Sequence, residues 1–378
     1  MTNKLYVWKI ELGKRIGPFW IGSSIIEALH ILENRVPTHP LEITYDGTNP
    51  YTNETVIDSP EEGFRLVFDS RTQILIKIDF YRLGEIYLRY GHVTIFRESG
   101  SATFMAVYNL FGPTFPGQYD PSTSCYHLSY EGGCVRFPIP IEHQDLYKDQ
   151  TDLPLAFPNG STPIANGFTI FSGSDQHAPC IPRPLNRNYG EIVSVLIYPS
   201  AATLLFCEKK SEIELGWTPQ QVISSIGQPI SVFRKSEDPN TGSVVVRECI
   251  NDYFHNYPHL GCDVMYNSLH NVTKIILRTN VLGHPDFGTY HKSNFQIFIH
   301  KTSESGSEDG TCEMITPETT WEEIQKNLSI TSKIRPVIHD SGLGLHPFGS
   351  SYCYAPVPDC IFEVMKNGFL ASVTIVQT

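Results

Sequence analysis

The chain has 378 residues, of which 40% are hydrophobic and 12% aromatic, enough to bury a sizeable core and to exclude a disordered protein. Its net charge of −12 argues against a general nucleic-acid binder and against binding an anionic membrane through bulk charge, because both need a concentrated field of lysine and arginine. The nine cysteines form no C-x-x-C motif, and no signal peptide or membrane-spanning apolar run is present, so a soluble protein of the reducing cytoplasm is expected.

The first predicted element is a helix capped by Ser24, with Glu27 closing a capping box. A strand follows over residues 63–69, in which alternate apolar side chains share one face. A second apolar strand covers residues 74–78. The short connection between the two strands predicts an antiparallel hairpin.

The second predicted helix runs from Phe104 to Phe111 and is stopped by Gly112. Its strand covers residues 134–137. Residues 138–190 contain eight prolines and little periodicity, which predicts an inserted loop. The strand pattern resumes only at residues 192–197, where the second hairpin is expected to be completed.

The third unit has the clearest pattern. Thr218 caps a helix, Pro219 takes the first helical position and Gln221 closes the capping box. Strands are predicted over residues 260–267 and 272–277.

The fourth predicted helix opens at Thr320, with Glu323 three residues later. The strand at residues 360–364 leads into the strand at residues 371–375. The Asn367–Gly368 pair between them is typical of a type I′ turn, which matches the twist of a two-stranded hairpin.

Four helix-plus-hairpin units of this size cannot each bury a good core alone. We therefore expect an α+β fold of tandem helix-plus-β-hairpin repeats, with the helices packed on antiparallel sheets. The predicted divisions are repeat 1 at residues 1–98, repeat 2 at 99–200 with the inserted loop 138–190, repeat 3 at 201–302, and a linker with repeat 4 at 303–378. A repeated scaffold with no recurring reactive residue indicates a binding or assembly protein before it indicates an enzyme.

The motifs of catalysis and of cofactor binding are missing from the sequence: it has no G-x-S-x-G, no H-E-x-x-H, no P-loop, no G-x-G-x-x-G and no EF-hand loop. Neither an enzymatic activity nor a cofactor is expected.

Histidines and aspartates gather in one stretch of the third unit, and their side chains suit zinc. They are His255, His259, His270, His284 and His291, with Asp252, Asp263 and Asp286. No pair has a ligating helical spacing, and His259 and His284 adjoin prolines in predicted turns, so no metal site is expected. A hydrolase built on these histidines, with His255 and His284 as the residues to test, stays open as an alternative.

Several segments carry a resemblance to a known family. In the C-terminal half they are residues 233–238 (FRKSED), 251–257 (NDYFHNY), 260–264 (LGCDV), 279–287 (TNVLGHPDF), 347–350 (PFGS) and 361–374 (IFEVMKNGFLASVT). In the N-terminal half they are residues 63–69 (GFRLVFD), 111–114 (FGPT), 116–117 (PG) and 126–128 (YHL). Together these segments resemble the phagosome assembly factor family.

The resemblance implies a role in autophagy. Animal members of the family act with a β-propeller protein of the breast-carcinoma-amplified-sequence type at the forming phagophore, and the complex associates with phosphoinositides. No enzymatic activity is associated with the family. We therefore expect a non-catalytic scaffold or adaptor of the cytoplasm that is recruited to phagophore assembly sites, with the phosphoinositide contact made mainly by the partner.

One residue is predicted to lie at the partner interface. Phe348 sits in the Pro347-Phe348-Gly349 loop, and a loop phenylalanine without strand alternation lacks an obvious role in the core. The alternative function is a small-ligand or lipid-binding module that uses a cleft between repeats, with the inserted loop as a lid.

Overall fold

The computed structural model describes residues 7–36, 38–96, 102–114, 117–147, 153–186, 189–198, 201–234, 252–299, 314–330, 334–339 and 350–377. The chain divides into two compact units. Unit 1 comprises Met1–Asp46 and Thr52–Leu185, and unit 2 comprises Gly47–Tyr51 and Asn186–Thr378.

Unit 1 is built mainly from short strands. In chain order these are β1 (Val7–Glu11), β2 (Arg15–Ile16), β3 (Phe19–Trp20), β4 (Glu42–Thr44), β5 (Thr55–Ser59), β6 (Phe64–Phe68), β7 (Leu75–Phe80), β8 (Tyr87–Tyr90), β9 (Val93–Phe96), β10 (Gln118–Asp120), β11 (Cys125–Tyr130), β12 (Gly133–Pro138) and β13 (Gly167–Phe171). The α-helices are α1 (Ile25–Glu33), α2 (Phe104–Phe111) and α3 (Gln144–Tyr147). The strands form one sheet in the order β3-β2-β1-β8-β9 and another in the order β10-β11-β12-β13-β7-β6-β5-β4.

Unit 2 follows the same plan. Its strands are β14 (Ile192–Tyr198), β15 (Ala201–Phe206), β16 (Ser211–Glu214), β17 (Ser231–Arg234), β18 (Tyr253–Tyr257), β19 (Cys262–Tyr266), β20 (Val272–Arg278), β21 (Asn294–Ile299), β22 (Met314–Ile315), β23 (Val337–His339), β24 (Ser351–Val357), β25 (Cys360–Val364) and β26 (Leu370–Val376). Its α-helices are α4 (Pro219–Ile226) and α5 (Trp321–Asn327). The sheets have the orders β16-β15-β14-β21-β22 and β17-β18-β19-β20-β26-β25-β24-β23.

The two units share one strand order. When the strands are numbered from β1 in unit 1 and from β14 in unit 2, both five-stranded sheets read third, second, first, eighth, ninth. In both units the first and eighth strands are parallel, and the seventh and thirteenth are antiparallel. An arrangement this particular, found twice, indicates that unit 2 repeats unit 1.

Local sequence explains where the main helices begin. The side chain of Ser24 accepts a hydrogen bond from the backbone N–H of Glu27, and the Glu27 side chain accepts one from the N–H of Ser24. The same reciprocal capping box opens α5 at Thr320 and Glu323. These bonds satisfy N–H groups that the first helical turn leaves without a partner.

The core of unit 2 joins both of its sheets to both of its α-helices. Buried side chains of β14, β19, β21 and β26 form one cluster with Val222 of α4 and Ile324 of α5. In unit 1 an aromatic group stands out, in which the Trp8 ring contacts Phe19, Phe64 and Phe80 edge-on. Burial of these apolar faces holds each sheet in register.

The structure agrees with the predicted class in outline, since the chain combines α-helices with antiparallel-rich sheets, although strands dominate over helices. Three predicted hairpins are confirmed: β6 with β7, β19 with β20, and β25 with β26 are antiparallel neighbours. The helix Phe104–Phe111 is confirmed with the predicted ends. The four predicted divisions along the chain stay a prediction.

The second predicted hairpin is wrong. Strand β12 pairs with β11 on one side and with β13 on the other, and β13 lies inside the segment that we expected to be an inserted loop. Residues 192–197 instead belong to β14, which pairs with β15 and β21 in unit 2. The prolines around β13 obscured it in the sequence, although its five residues are all buried.

The predicted type I′ turn is also wrong. That turn needs a positive φ at both central residues, but here Gly368, with φ of 85°, has a positive φ and Asn367 does not. The N–H of Gly368 donates to the carbonyl of Met365, and the N–H of Met365 donates to the carbonyl of Phe369. The chain therefore makes a three-residue loop with a glycine bulge, in which the glycine alone takes the left-handed position.

Candidate interaction surface

Strand β17 lies at one end of the eight-stranded sheet of unit 2, and among the described strands it has a neighbour only on the β18 side. It pairs antiparallel with β18, placing Ser231 opposite Asn256 and Phe233 opposite Phe254. An edge strand keeps a row of backbone N–H and C=O groups available for another strand.

The hydrogen bonds at the start of β17 show which backbone groups face outward. The Asn256 carbonyl accepts a hydrogen bond from the N–H of Ile230 at 3.0 Å, so Asn256 directs its backbone groups toward β17. Its partner in the register is Ser231, whose backbone groups therefore face β18. Because backbone direction alternates along a strand, those of Phe233 also face β18. The N–H and C=O groups of Val232 and Arg234 therefore point away from the sheet.

Apolar side chains cover this edge. The exposed fractions are 65% for Ile230, 52% for Val232 and 59% for Phe233. The Phe233 ring lies 6.4 Å from the ring of Phe254, whereas Val232 stands opposite His255 on the other face of the sheet. Exposed aromatic and aliphatic side chains beside an open strand edge are features of a protein-binding surface.

The corresponding edge of unit 1 is different. Strand β4 exposes Glu42, Ile43 and Thr44, and Ile43 is only 39% exposed. The far edge of the unit 2 sheet, β23, exposes Ile338 at 64% but no aromatic side chain. Of these three edges, β17 is the one that exposes a phenylalanine beside outward backbone groups.

Phe348, which we predicted at the partner interface, lies outside the described residues. Its assignment stays a prediction.

The five histidines of the third predicted repeat do not converge on one point. His255 is buried on β18, and burial lowers its pKa. His270 approaches the Tyr253 hydroxyl through Nδ1 at 2.7 Å, and the His291 ring lies 4.9 Å from the ring of Tyr189. Within the described parts of the chain, no group of three histidine, cysteine, aspartate or glutamate side chains is arranged to hold a metal ion.

His284, the other residue of the hydrolase alternative, is held by two hydrogen bonds. Its Nδ1 accepts a hydrogen bond from the backbone N–H of Asp286, so the proton of the neutral ring lies on Nε2. Nε2 lies 3.2 Å from Oε1 of Glu363. Both ring nitrogens are therefore engaged, and these contacts tie the loop after β20 to strand β25.

The buried Glu363 carboxylate is held by further hydrogen bonds. The hydroxyl of Ser351 donates to Oε1 at 2.6 Å, and that of Ser372 donates to Oε2 at 2.7 Å. Burial opposes ionisation, but the hydrogen bonds from His284, Ser351 and Ser372 outweigh it and lower the pKa of Glu363 to about 2.

Asp263 organises a second polar group on the same sheet. Its Oδ1 accepts hydrogen bonds from Tyr290 at 2.6 Å and from Asn256 at 2.8 Å, and its Oδ2 accepts one from Arg278 at 3.0 Å. Arg278 also donates to Asp286 at 2.5 Å. These hydrogen bonds, together with those that hold the Glu363 carboxylate, anchor the segment between β20 and β21 to the sheet.

The comparisons with known proteins identify the family. The sequence profile of phagosome assembly factor 1 (PHAF1) matches residues 15–376. The chain belongs to the PHAF1 family. A PHAF1 protein of Arabidopsis thaliana is 33% identical over 395 residues, which cover 98% of this chain and 93% of the relative. A PHAF1 protein of Drosophila melanogaster is 29% identical, with 100% and 95% covered, and one of Caenorhabditis elegans is 26% identical, with 94% and 90% covered.

No solved structure matches the chain significantly. The PHAF1 relationship confirms the resemblance that residues 233–238 and 279–287 carry in the sequence. In the structure the first of these segments begins in β17, and the second contains the anchor His284.

Sequence reasoning missed the β17 edge, because whether a strand is central or peripheral depends on pairings with distant segments. One signal was available: Ile230, Val232 and Phe233 place apolar residues on both sides of the alternation, as a strand without a solvated face does. None of the described helices has the length and apolar character needed to cross a lipid bilayer.

Proposed function

We propose that this PHAF1-family chain is a non-catalytic scaffold in autophagy that binds a β-propeller partner and assists its recruitment from the cytoplasm to the phagophore. The family name supports a role in phagosome assembly. The partner and the recruitment come from the family resemblance and form the finer part of the proposal. We also propose that helix-plus-hairpin repeats are the units from which the scaffold is built.

The observation that carries the proposal is the β17 edge. A partner segment in extended conformation would add a strand beside β17 and bond to the outward N–H and C=O groups of Val232 and Arg234. Its own side chains would alternate between the two faces of the sheet, where they meet Phe233 on one side and Val232 on the other. The exposed Arg234 favours an acidic residue opposite it.

A strand added at β17 gains binding free energy from two kinds of contact. Each backbone hydrogen bond contributes about 1 kcal/mol net. A buried aromatic anchor contributes about 2 kcal/mol or more. The partner strand can bond to four backbone groups on Val232 and Arg234, and Phe233 supplies the anchor. Together these contacts contribute about 6 kcal/mol, against an association cost of about 4 kcal/mol or more. The β17 edge therefore supplies the anchoring part of a larger interface.

The phosphoinositide contact is assigned to the partner. The net charge of −12 opposes attraction to an anionic membrane surface. The scaffold would then act by positioning the propeller rather than by binding lipid itself.

Affinity purification of the tagged chain from fed and starved cells, with quantitative mass spectrometry, tests the function. We expect a β-propeller protein in stoichiometric amount, and we expect deletion of the chain to impair recruitment of that protein and autophagosome formation. Normal recruitment and normal autophagosome formation in the deletion would contradict the scaffold role. The alternative, a ligand-binding module with a cleft between repeats, stays a prediction.

A further inference from the structure

Unit 1 contains a polar cavity that the scaffold role does not use. Its volume is 610 Å³, and it is lined by β10, β11 and the segment after β13. This volume lies within the range of small-molecule sites, about 300–1,000 Å³. The lining residues are Gln118, Tyr119, Asp120, Pro121, Ser122, His127, Ser129, Ser174, Asp175, Gln176 and His177.

The charged side chains that line the cavity are all acidic. The lining has two carboxylates, Asp120 and Asp175, and no lysine or arginine. Arg136, which stands opposite His127 in the neighbouring strand, is paired with Asp79 at 2.7 Å. A cavity of this kind attracts cations and repels phosphate and carboxylate ligands.

The Asp120 carboxylate is fixed in place as an anion. It accepts hydrogen bonds from the backbone N–H and the hydroxyl of Ser122 at 2.9 and 2.7 Å, and from the hydroxyl of Thr123 at 2.8 Å. The Ser122 hydroxyl is the main reason that the pKa of Asp120 falls to about 2. The Asp175 carboxylate accepts the N–H of His177 at 2.9 Å through one oxygen. A carboxylate oxygen has more than one lone pair, so both groups can accept further donors.

The buried imidazole of His127 adds no positive charge to the cavity. The side-chain amide of Gln176 lies 2.6 Å from Nδ1 of His127 and 3.1 Å from Nε2 of His177. An NH₂ group can only donate, so Nδ1 of His127 accepts this hydrogen bond and the His127 ring is neutral. The rings are stacked, with centroids 6.3 Å apart. Burial of His127 lowers its pKa and keeps this state at neutral pH.

We propose that this cavity binds an organic cation, a guanidinium or ammonium group held between Asp120 and Asp175. A planar guanidinium suits the site best, because it can donate to carboxylates in pairs and stack on flat rings such as Tyr119 and His177. The cation could come from a free small molecule such as a polyamine or from a basic side chain of a partner protein. Both sources present the same chemistry.

Calorimetric titration of the isolated full chain with agmatine, which carries a guanidinium and an amine, tests the cavity directly. We expect one site per chain, with binding weakened about tenfold or more in Asp175→Asn, because one ion pair with the cation is lost. Asp120→Asn should weaken binding similarly. Glu42→Gln removes one exposed carboxylate from β4, outside the cavity, and should leave the affinity unchanged.

Three results would overturn the proposal. They are no agmatine binding at millimolar concentration, equal binding by wild type and Asp175→Asn, and binding of the neutral polyol sorbitol as tightly as agmatine. Because the titration uses the isolated chain, its result does not depend on whether the chain captures a partner.

A second arm, which rests on the proposed function, assigns the source of the cation. If saturating agmatine displaces the captured propeller partner, the partner supplies the basic side chain. If the partner is retained while agmatine binds, the ligand is a free cation. Either result supports the cation site.

Discussion

The Nε2 atom of His284 lies 3.2 Å from Oε1 of Glu363, a residue 79 positions further along the chain. This contact ties the segment after β20 to strand β25. The same carboxylate accepts hydrogen bonds from two serine hydroxyls, so burial of its charge is compensated by three donors.

Glu363→Gln should destabilise the protein at neutral pH by about 3 kcal/mol, which is the upper limit set by a shift of the pKa from 4.5 to about 2. The folded-state pKa lies below the unfolded one, so the stabilisation is complete above pH 4.5 and is lost as the pH falls toward 2. The difference in free energy of unfolding between wild type and variant, measured with urea, should therefore be about 1 kcal/mol smaller at pH 3.5 than at pH 7. A gap that does not change with pH would contradict the ionised-carboxylate account.

Asp263→Asn should destabilise unit 2 strongly. Asp263 is buried and accepts hydrogen bonds from Tyr290, Asn256 and Arg278, so its neutralisation leaves the partly buried Arg278 guanidinium poorly compensated. The expected cost is about 3 kcal/mol. Asp286→Asn is the matched control, since its carboxylate contacts the same Arg278 but is half exposed, and it should cost less than about 1 kcal/mol. Equal costs, measured by urea unfolding, would show that the Asp263 group is not the anchor.

Ser24→Ala should cost about 1 kcal/mol, because it removes the side-chain oxygen that caps α1. Ser24→Thr keeps a capping hydroxyl without adding a charge and should retain most of the stability. Thermal unfolding of the two variants separates the effect of the cap from that of the altered side chain. A similar loss in both variants would mean that packing around the buried Ser24, rather than capping, sets the cost.

The sequence specified the helices well because their signals are local. The capping boxes of Ser24 with Glu27 and of Thr320 with Glu323 lie within four residues and form as predicted. Strand pairing is harder to predict, because β13 pairs with β12 and with β7, and β7 is distant in the sequence. The apolar pattern within β13 does not indicate which strands it pairs with. The surrounding prolines therefore led to the prediction of a loop there.

The candidate surface and the cation cavity could not be predicted for the same reason. Phe233 looks like any strand residue until the sheet order places β17 at an edge. His127 and Gln176 lie 49 residues apart and meet only because β13 returns the chain toward β11. Composition did indicate the cavity's preference in part, since a chain of net charge −12 favours basic ligands.

The measurement that tests the scaffold account most directly is partner capture by two edge variants of the full chain. Phe233→Asp places a charge at the β17 edge, and Ile338→Asp places the same charge at the opposite edge of the same sheet. We expect the first variant to weaken capture by about 2 kcal/mol, a factor of about 30 in Kd, while the second captures the partner as wild type does. Melting temperatures of both variants should stay close to that of wild type, because both side chains are exposed. Undiminished capture by Phe233→Asp would contradict the assignment of β17 as the partner-binding edge.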